Sequence, residues 1–158
     1  MKKILLILAL SMTLVMCKTS KTTAAKPAKA KPEVAYNDNF KAAPDAEKTA
    51  TLKAMKATGE TQGVLILTKN FKGENITISS TAKKFYTGYP ISNMGNGLAE
   101  KIAIDNTADI TIYDSHTKKE AVIKSSDAKK YKFVYVEKKP GASNPFVITY
   151  SNKLMAFK

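Results

Sequence analysis

Residues 109–113, Asp-Ile-Thr-Ile-Tyr, alternate polar and apolar side chains with a period of two. This is the pattern of a β-strand that buries one face. Residues 75–80 (NITISS) and 131–136 (YKFVYV) show the same alternation, and 64–67 (VLIL) form a shorter continuous apolar run. β-Branched and aromatic residues dominate all four segments and favour strands. The fold is therefore decided by short strands rather than by helices.

Working outward from these segments, we predict eight strands, each separated from the next by Gly, Asn, Asp, Ser or Lys turns. They cover residues 64–67, 75–80, 101–105, 109–113, 121–124, 131–136, 146–150 and 154–157. The gaps are too short for crossover helices, so parallel pairing is not expected. The sequence predicts an all-β fold over 62–158, an antiparallel β-sandwich of the Ig-like or jelly-roll-like kind, with each sheet buried on one side.

A short helix is predicted before the strands, over residues 45–58. Asp45 is suited to cap its start and Gly59 to end it. Alanine, lysine and glutamate favour a helix here. The apolar face is thin, with Leu52 and Met55 as its large members, so we expect at most weak docking on the sheet.

The N-terminal segment has the layout of a secretory signal peptide. Lys2 and Lys3 precede an apolar run from Ile4 to Met16, and the run ends at Cys17. A helix that crosses a bilayer needs about 20 apolar residues, so this run is short for a permanent span. We expect residues 1–16 to be a removable export signal.

The segment Leu14-Val15-Met16-Cys17 resembles the lipobox of bacterial lipoproteins. Leu14 stands three residues before the cysteine, as in that family, whereas Met16 occupies a position that usually carries Gly, Ala or Ser. The resemblance implies cleavage before Cys17 and acylation of its thiol and amine, which anchors the protein to the outer membrane or the cell surface. The alternative is cleavage after Ala24 or Ala25, which would release a soluble secreted protein.

Residues 17–44 are expected to be a disordered tether that carries the lipid-attachment cysteine. Lys18 to Pro32 contains five lysines and no acidic residue. Such a segment buries too little apolar surface to offset the entropy of ordering. Its lysines can also rest on anionic lipid or on a polyanionic glycan. Glu33 to Pro44 is expected to be irregular.

The composition limits the classes of partner and site. The net charge is +13, and all 26 basic residues are lysines. Arginine provides the planar fork that reads guanine, so nucleic acid is not expected as a partner. Cys17 is the one cysteine, which excludes an intrachain disulfide and cysteine-based zinc or iron–sulfur sites. We expect no cofactor.

The most unusual stretch of the β domain is 85–98, FYTGYPISNMGNGL. A long loop on a rigid sandwich is a common place for binding. Tyr86, Tyr89 and Met94 are its candidate ligand contacts, and a tyrosine ring can stack on a sugar or pack on a protein. The plainer interpretation is that Phe85 and Tyr86 end a strand and that the glycines form turns.

Oxygen-bearing side chains crowd two successive turns at Asp105, Asn106, Asp109 and Asp114. Such oxygen clusters suit calcium, but Asp and Asn are also ordinary turn residues, which is the favoured interpretation. His116 is the sole histidine and is expected to be a turn residue. Otherwise no metal site is predicted.

Nucleotide, kinase, hydrolase and metalloprotease motifs are absent from the sequence, so an enzyme is not expected. Three hypotheses are carried forward. The first is an envelope lipoprotein that displays a β-sandwich in a structural or interaction role. The second is a secreted or surface module that binds a glycan, matrix or polyanion. The third, a secreted enzyme or inhibitor, has no residue set in its favour.

Overall fold

The β-strands form two stacked sheets in the computed structural model, which describes residues 30–157. The predicted signal segment, Cys17 and the lysines up to residue 29 lie outside this range. Within it the strands are β1 Glu33–Tyr36, β2 Gln62–Leu67, β3 Ile76–Ser80, β4 Lys84–Gly88, β5 Glu100–Asp105, β6 Ile110–Asp114, β7 Lys119–Ile123, β8 Phe133–Lys138 and β9 Phe146–Ser151. The helices are α1 Asp45–Ala54 and α2 Ser125–Ala128. The predicted all-β sandwich is confirmed.

The larger sheet has the order β1-β9-β8-β2-β5 and the smaller one β4-β3-β6-β7. Every pair in the smaller sheet is antiparallel. In the larger sheet β2 pairs with β8, and β1 with β9, in parallel. The expectation of antiparallel pairing throughout is therefore wrong for two pairs. The parallel partners are not consecutive in the chain: the four strands of the smaller sheet and β5 lie between β2 and β8.

The main core lies between the two sheets. It is built from alternate residues of the facing strands, among them Leu65 of β2, Ile78 of β3, Ile112 of β6 and Val134 of β8. These side chains are 0 to 1% exposed. The period-two alternation of the sequence thus marks the inward face of each strand.

A second core covers the opposite face of the larger sheet. Val64 and Ile66 of β2 and Phe133 and Tyr135 of β8 pack there with Leu154. Phe40, Leu52, Met55 and the C-terminal residues 155–157 pack against this group. The expectation of one buried face per sheet is therefore wrong for the central strands. Their continuous apolar runs are the sequence signal of burial on both sides.

Two stretches of the chain differ from the sequence-based expectations. β1 forms inside the stretch 33–44 that was expected to be irregular, because it pairs in parallel with β9 at the sheet edge. Tyr36 also stacks on Tyr150 of that strand, with ring centroids 5.4 Å apart. The C-terminal stretch 154–157 makes one bridge, Met155 with Ala42, and is not a strand.

The helix α1 begins at Asp45, with Pro44 in the cap position, and ends at Ala54. It stops four residues before the predicted end at residue 58, because Lys56 adopts a positive φ of 50° and the Ala57 N–H bonds to Leu52 O. Asp45 makes no capping hydrogen bond and instead lies in the first turn. As expected, Leu52 and Met55 provide the contact with the sheet.

We expect Leu154→Ala to lower the free energy of unfolding by about 2–4 kcal/mol, because the truncation leaves a cavity in the second core. Leu154 is 1% exposed although it lies outside every strand. The measurement is urea unfolding of the full chain. The exposed neighbour Lys153→Ala is the control and should stay within about 0.5 kcal/mol of the wild type. Equal effects of the two variants would contradict the second core.

Candidate functional site

A cleft of about 850 Å³ opens at one end of the sandwich. Three connections form it: β2–β3, β6–β7 and β8–β9, and Tyr89 just after β4 adds to its wall. The lining residues are Asn70, Lys72, Gly73, Glu74, Asn75, Tyr89, Ser115, His116, Thr117, Lys119, Lys138, Pro140, Gly141, Ala142 and Pro145. Clefts of roughly 300–1,000 Å³ are typical of small-ligand sites.

A buried lysine at the floor of the cleft joins the two sheets. Lys138, the last residue of β8, donates its Nζ to Oδ2 of Asp114 at 2.7 Å and to Oε1 of Glu74. Asp114 ends β6 of the other sheet, and Glu74 precedes β3. The three side chains are between 0 and 10% exposed. The floor therefore holds one cation between two anions.

Both acids also accept hydrogen bonds from their own loops. Asp114 accepts hydrogen bonds from the backbone N–H groups of His116 and Thr117 and from the Thr117 hydroxyl. Glu74 accepts from the Lys72 backbone N–H at 2.7 Å. These bonds fold the β6–β7 turn and the β2–β3 loop around the cluster. The floor is thus a structural support for the loops that shape the cleft.

The pKa values of the cluster shift in the directions that keep all three groups charged. Burial raises the pKa of Glu74 and of Asp114, but their bonds with Lys138 and with donors of their own loops outweigh burial and hold both pKa values below the usual range. Burial lowers the pKa of Lys138, but its bonds with Asp114 and Glu74 outweigh burial and raise it. Hydrogen bonds to the charged form explain all three shifts.

The β2–β3 loop is held in place by contacts other than the ion pairs. The side-chain amide of Asn70 donates to the Lys138 carbonyl at 2.6 Å. The buried Phe71 ring lies 5.8 Å from Lys138 Nζ, a cation–π distance. Gly73 has φ of +90°, a conformation that glycine adopts without the steric cost of a side chain. We infer that the cleft wall is preformed.

Of the residues predicted in the stretch 85–98, the structure brings Tyr89 into the cleft. Its side chain is 68% exposed. Tyr86 is half-buried, packs against the main core and lies over Gly88, where an added Cβ would be 2.5 Å from its hydroxyl oxygen. Met94 is fully exposed and does not line the cleft. The three candidates therefore do not form one surface.

The stretch 85–98 is not one long loop. Its first four residues belong to β4, and the remainder is fastened to the β2–β3 loop. The Gly73 N–H donates to Pro90 O at 2.9 Å, and the Ser92 N–H donates to Phe71 O at 2.9 Å. A second turn is closed by Asn93, whose Oδ1 accepts the N–H of Gly95 at 2.8 Å. Phe85 and Tyr86 do lie in a strand, but β4 continues to Gly88, so they do not end it.

The oxygen-bearing residues considered for calcium do not converge. Asp109 precedes β6 and Asp114 ends it, so the two residues lie about 16 Å apart at the usual rise per strand residue. Asp109 is bound by Lys124 Nζ at 2.7 Å, and Asp105 accepts the Thr107 N–H. The buried amide of Asn106 donates to Ala128 O. In the described residues no three His, Cys, Asp or Glu side chains are grouped to hold a metal ion.

His116 lies in the β6–β7 turn, as expected, but this turn forms part of the cleft. Its side chain is exposed. Among residues 30–157 the His116 ring, the Asn75 amide and the Ser115 hydroxyl make no protein hydrogen bond. These groups remain free to bind a ligand.

Sequence reasoning missed the charged members of the cleft, Lys72, Glu74, Lys119 and Lys138. Glu74 and Lys138 are 64 residues apart in the chain, and Asp114 and Lys138 are 24 apart. No local spacing links them. The one available signal was a lysine at the end of a strongly apolar strand, which is a position that requires a partner when the residue is buried.

The described chain begins beside the cleft. The side-chain amide of Asn144, in the β8–β9 connection, donates to Ala30 O at 2.8 Å and to Glu120 O at 2.9 Å. Ala30 and Asn144 line a small pocket together with Lys118 and Lys119. The segment that precedes Ala30 therefore joins the domain at the cleft end of the sandwich.

Comparison with known families and with curated proteins found no match for this chain. Between residues 30 and 157, no helix has the length and apolar character to cross a membrane.

The ion cluster predicts a pH-dependent stability. The pKa values of Glu74 and Asp114 are lowered from ordinary values of 4.5 and 3.8. The stability that the two carboxylates contribute is therefore present above about pH 5 and is lost as the pH falls through the lowered values. The pKa of Lys138 is raised from 10.5, so its contribution is present below that pH and is lost at more alkaline pH.

We expect Asp114→Asn to lower the free energy of unfolding by about 2–4 kcal/mol at pH 7, because a buried charge loses a partner. The difference from wild type in the free energy of unfolding should narrow as the pH falls from 5 to 3, because the unfolded wild-type chain takes up protons on these carboxylates at a higher pH than the folded chain does. Urea unfolding at pH 7, 5 and 3 measures this. Glu60→Gln, on an exposed residue, is the control and should show no narrowing. A difference in unfolding free energy that stays constant with pH would show that the charge of Asp114 does not stabilise the fold.

Proposed function

We propose that the chain is an exported envelope lipoprotein that uses the cleft of its β-sandwich to bind a partner, in a non-enzymatic interaction role. Residues 1–16 are the export signal, and acylated Cys17 is the membrane anchor. The single observation that carries the binding role is the cleft, because it combines a rigid charged floor with polar and aromatic side chains that have no protein partner.

The role of the floor favours binding over catalysis. Catalytic acids and bases need a position from which to exchange protons with a substrate. Glu74, Asp114 and Lys138 are instead bound to one another and to their own loops. Groups held in this way shape the site, and this supports the interaction role.

The position of Ala30 supports a link between anchor and cleft. Ala30 lies against Asn144 at the cleft end. The segment from Cys17 to Ala30 spans at most about 45 Å when fully extended. An acylated Cys17 would therefore keep the cleft within that distance of the membrane surface. Partners in the same envelope layer are then within reach.

A secreted form of the same module, cut after Ala24 or Ala25, is the alternative. It would use the same cleft without an anchor. The observation in its favour is the cluster of small residues at 24 and 25. The two forms differ in the mass of the N-terminal residue and in their partitioning between detergent and water.

We expect the protein produced in its native host to enter the detergent phase with an intact mass that includes acyl chains on Cys17. Several acyl chains bind a bilayer stably, whereas a protein without them stays in the aqueous phase. Intact mass and detergent phase partitioning are the measurements. Cys17→Ala should be aqueous and without the added mass, and Ser20→Ala should behave as the wild type. An aqueous wild type that begins near Ala25 would overturn the anchor.

A further inference from the structure

We propose that the cleft binds an anionic saccharide, which is a sugar that carries a carboxylate or sulfate group. This inference rests on the proposed binding role and names its ligand class. It follows from three properties of the cleft: the charge that is left unpaired, the kind of neutral groups that line it, and its size.

The net charge of the cleft is positive. The two acids of the floor share the single cation Lys138, so that cluster has a net charge of −1. Lys72 and Lys119 line the same cleft, are exposed, and make no ion pair with any residue between 30 and 157. These two lysines outweigh the −1 of the floor and are the exposed charges, so charge complementarity favours an anion. Lysine is a compact, strongly hydrated point charge, which suits carboxylate and sulfate without requiring the bidentate geometry of arginine.

The neutral lining suits a polyhydroxylated ligand. Asn75, Ser115 and His116 present an amide, a hydroxyl and an imidazole, each without a protein hydrogen bond in the described chain. Such groups both donate and accept hydrogen bonds, as sugar hydroxyls do. Tyr89 adds an exposed aromatic ring, which provides an apolar face and a polar hydroxyl tip. An inorganic anion would contact the lysines and leave these neutral groups without a hydrogen-bond partner.

The size of the cleft agrees with one end of an oligosaccharide. A volume of about 850 Å³ is near the upper limit of small-ligand sites and exceeds what a single anion fills. The ligand can belong to an envelope polysaccharide or to the headgroup of an acidic glycolipid. Both offer the same charged sugar to a cleft that lies beside the anchor segment.

The test uses the full chain with Cys17→Ala, so that it does not depend on acylation. The probes are tetragalacturonate and its fully methyl-esterified form, which has the same rings without the charge. A chondroitin sulfate tetrasaccharide is the sulfated probe. We expect calorimetry to detect the two charged probes and to show at least tenfold weaker binding of the ester. Raising the salt concentration should weaken the binding of the charged probes, because salt screens exposed charges.

Matched variants identify the site. Lys72→Gln with Lys119→Gln should weaken binding of the charged probe about 100-fold, since each charge-assisted hydrogen bond contributes roughly tenfold. Lys84→Gln with Lys129→Gln removes the same charge from exposed positions outside the cleft and should leave the affinity within threefold. Tyr89→Ala should weaken binding about tenfold, whereas Tyr89→Phe keeps the ring and should retain most of it. Thermal unfolding verifies that each variant is folded.

Failure of the saccharide proposal is distinct from failure of the anchor. No binding of any charged probe, or equal binding of the methyl ester, overturns the proposal even when the wild type partitions into detergent. A tetraglutamate peptide that binds as tightly as tetragalacturonate also overturns it, because charge would then suffice without sugar. Binding to soluble tetragalacturonate supports a polysaccharide source. Binding that appears with vesicles carrying a uronic-acid glycolipid supports the glycolipid source.

Discussion

The parallel pairing of β2 with β8 is the constraint on which the rest of the fold depends. Val64 stands opposite Phe133 and Leu67 opposite Val136. Each strand is apolar on both faces, so the pair belongs inside the molecule and must be covered from two sides. The smaller sheet covers one face. The helix α1, the segment near Phe40 and the C-terminal residues cover the other, which explains why residues outside the strands are buried.

The same pairing places the floor of the cleft. Lys138 ends β8, and its carbonyl and ammonium groups meet Asn70, Glu74 and Asp114. Buried ion pairs add little net stability compared with apolar packing, because desolvation offsets much of the attraction. Their stronger effect is on geometry, since a displaced loop would leave a buried charge without a partner. One lysine thus holds the β2–β3 and β6–β7 connections in a single arrangement.

The sequence was sufficient for the strands whose local pattern is strong. Residues 109–113 alternate as the structure requires, residues 133–136 form a continuous apolar run that is buried on both faces, and the sandwich class follows from many short strands. β1 was missed because four residues with weak alternation become a strand through parallel pairing with β9 at the sheet edge. Residues 154–157 have a strand-like composition, but Leu154 is buried by tertiary packing and not by a ladder.

The candidate site divides in the same way. By itself the sequence determined the alternation that produces two sheets, the lysine-rich charge, the lone cysteine after an apolar run, and Tyr89 as a candidate contact. Only the tertiary structure decided that β2 and β8 are parallel, that Tyr86 belongs to the core side, and that Lys138 meets Glu74 and Asp114. Periodicity reports which face of a strand is apolar. It does not report which distant strand will lie beside it, and the cleft is formed by that choice of neighbours.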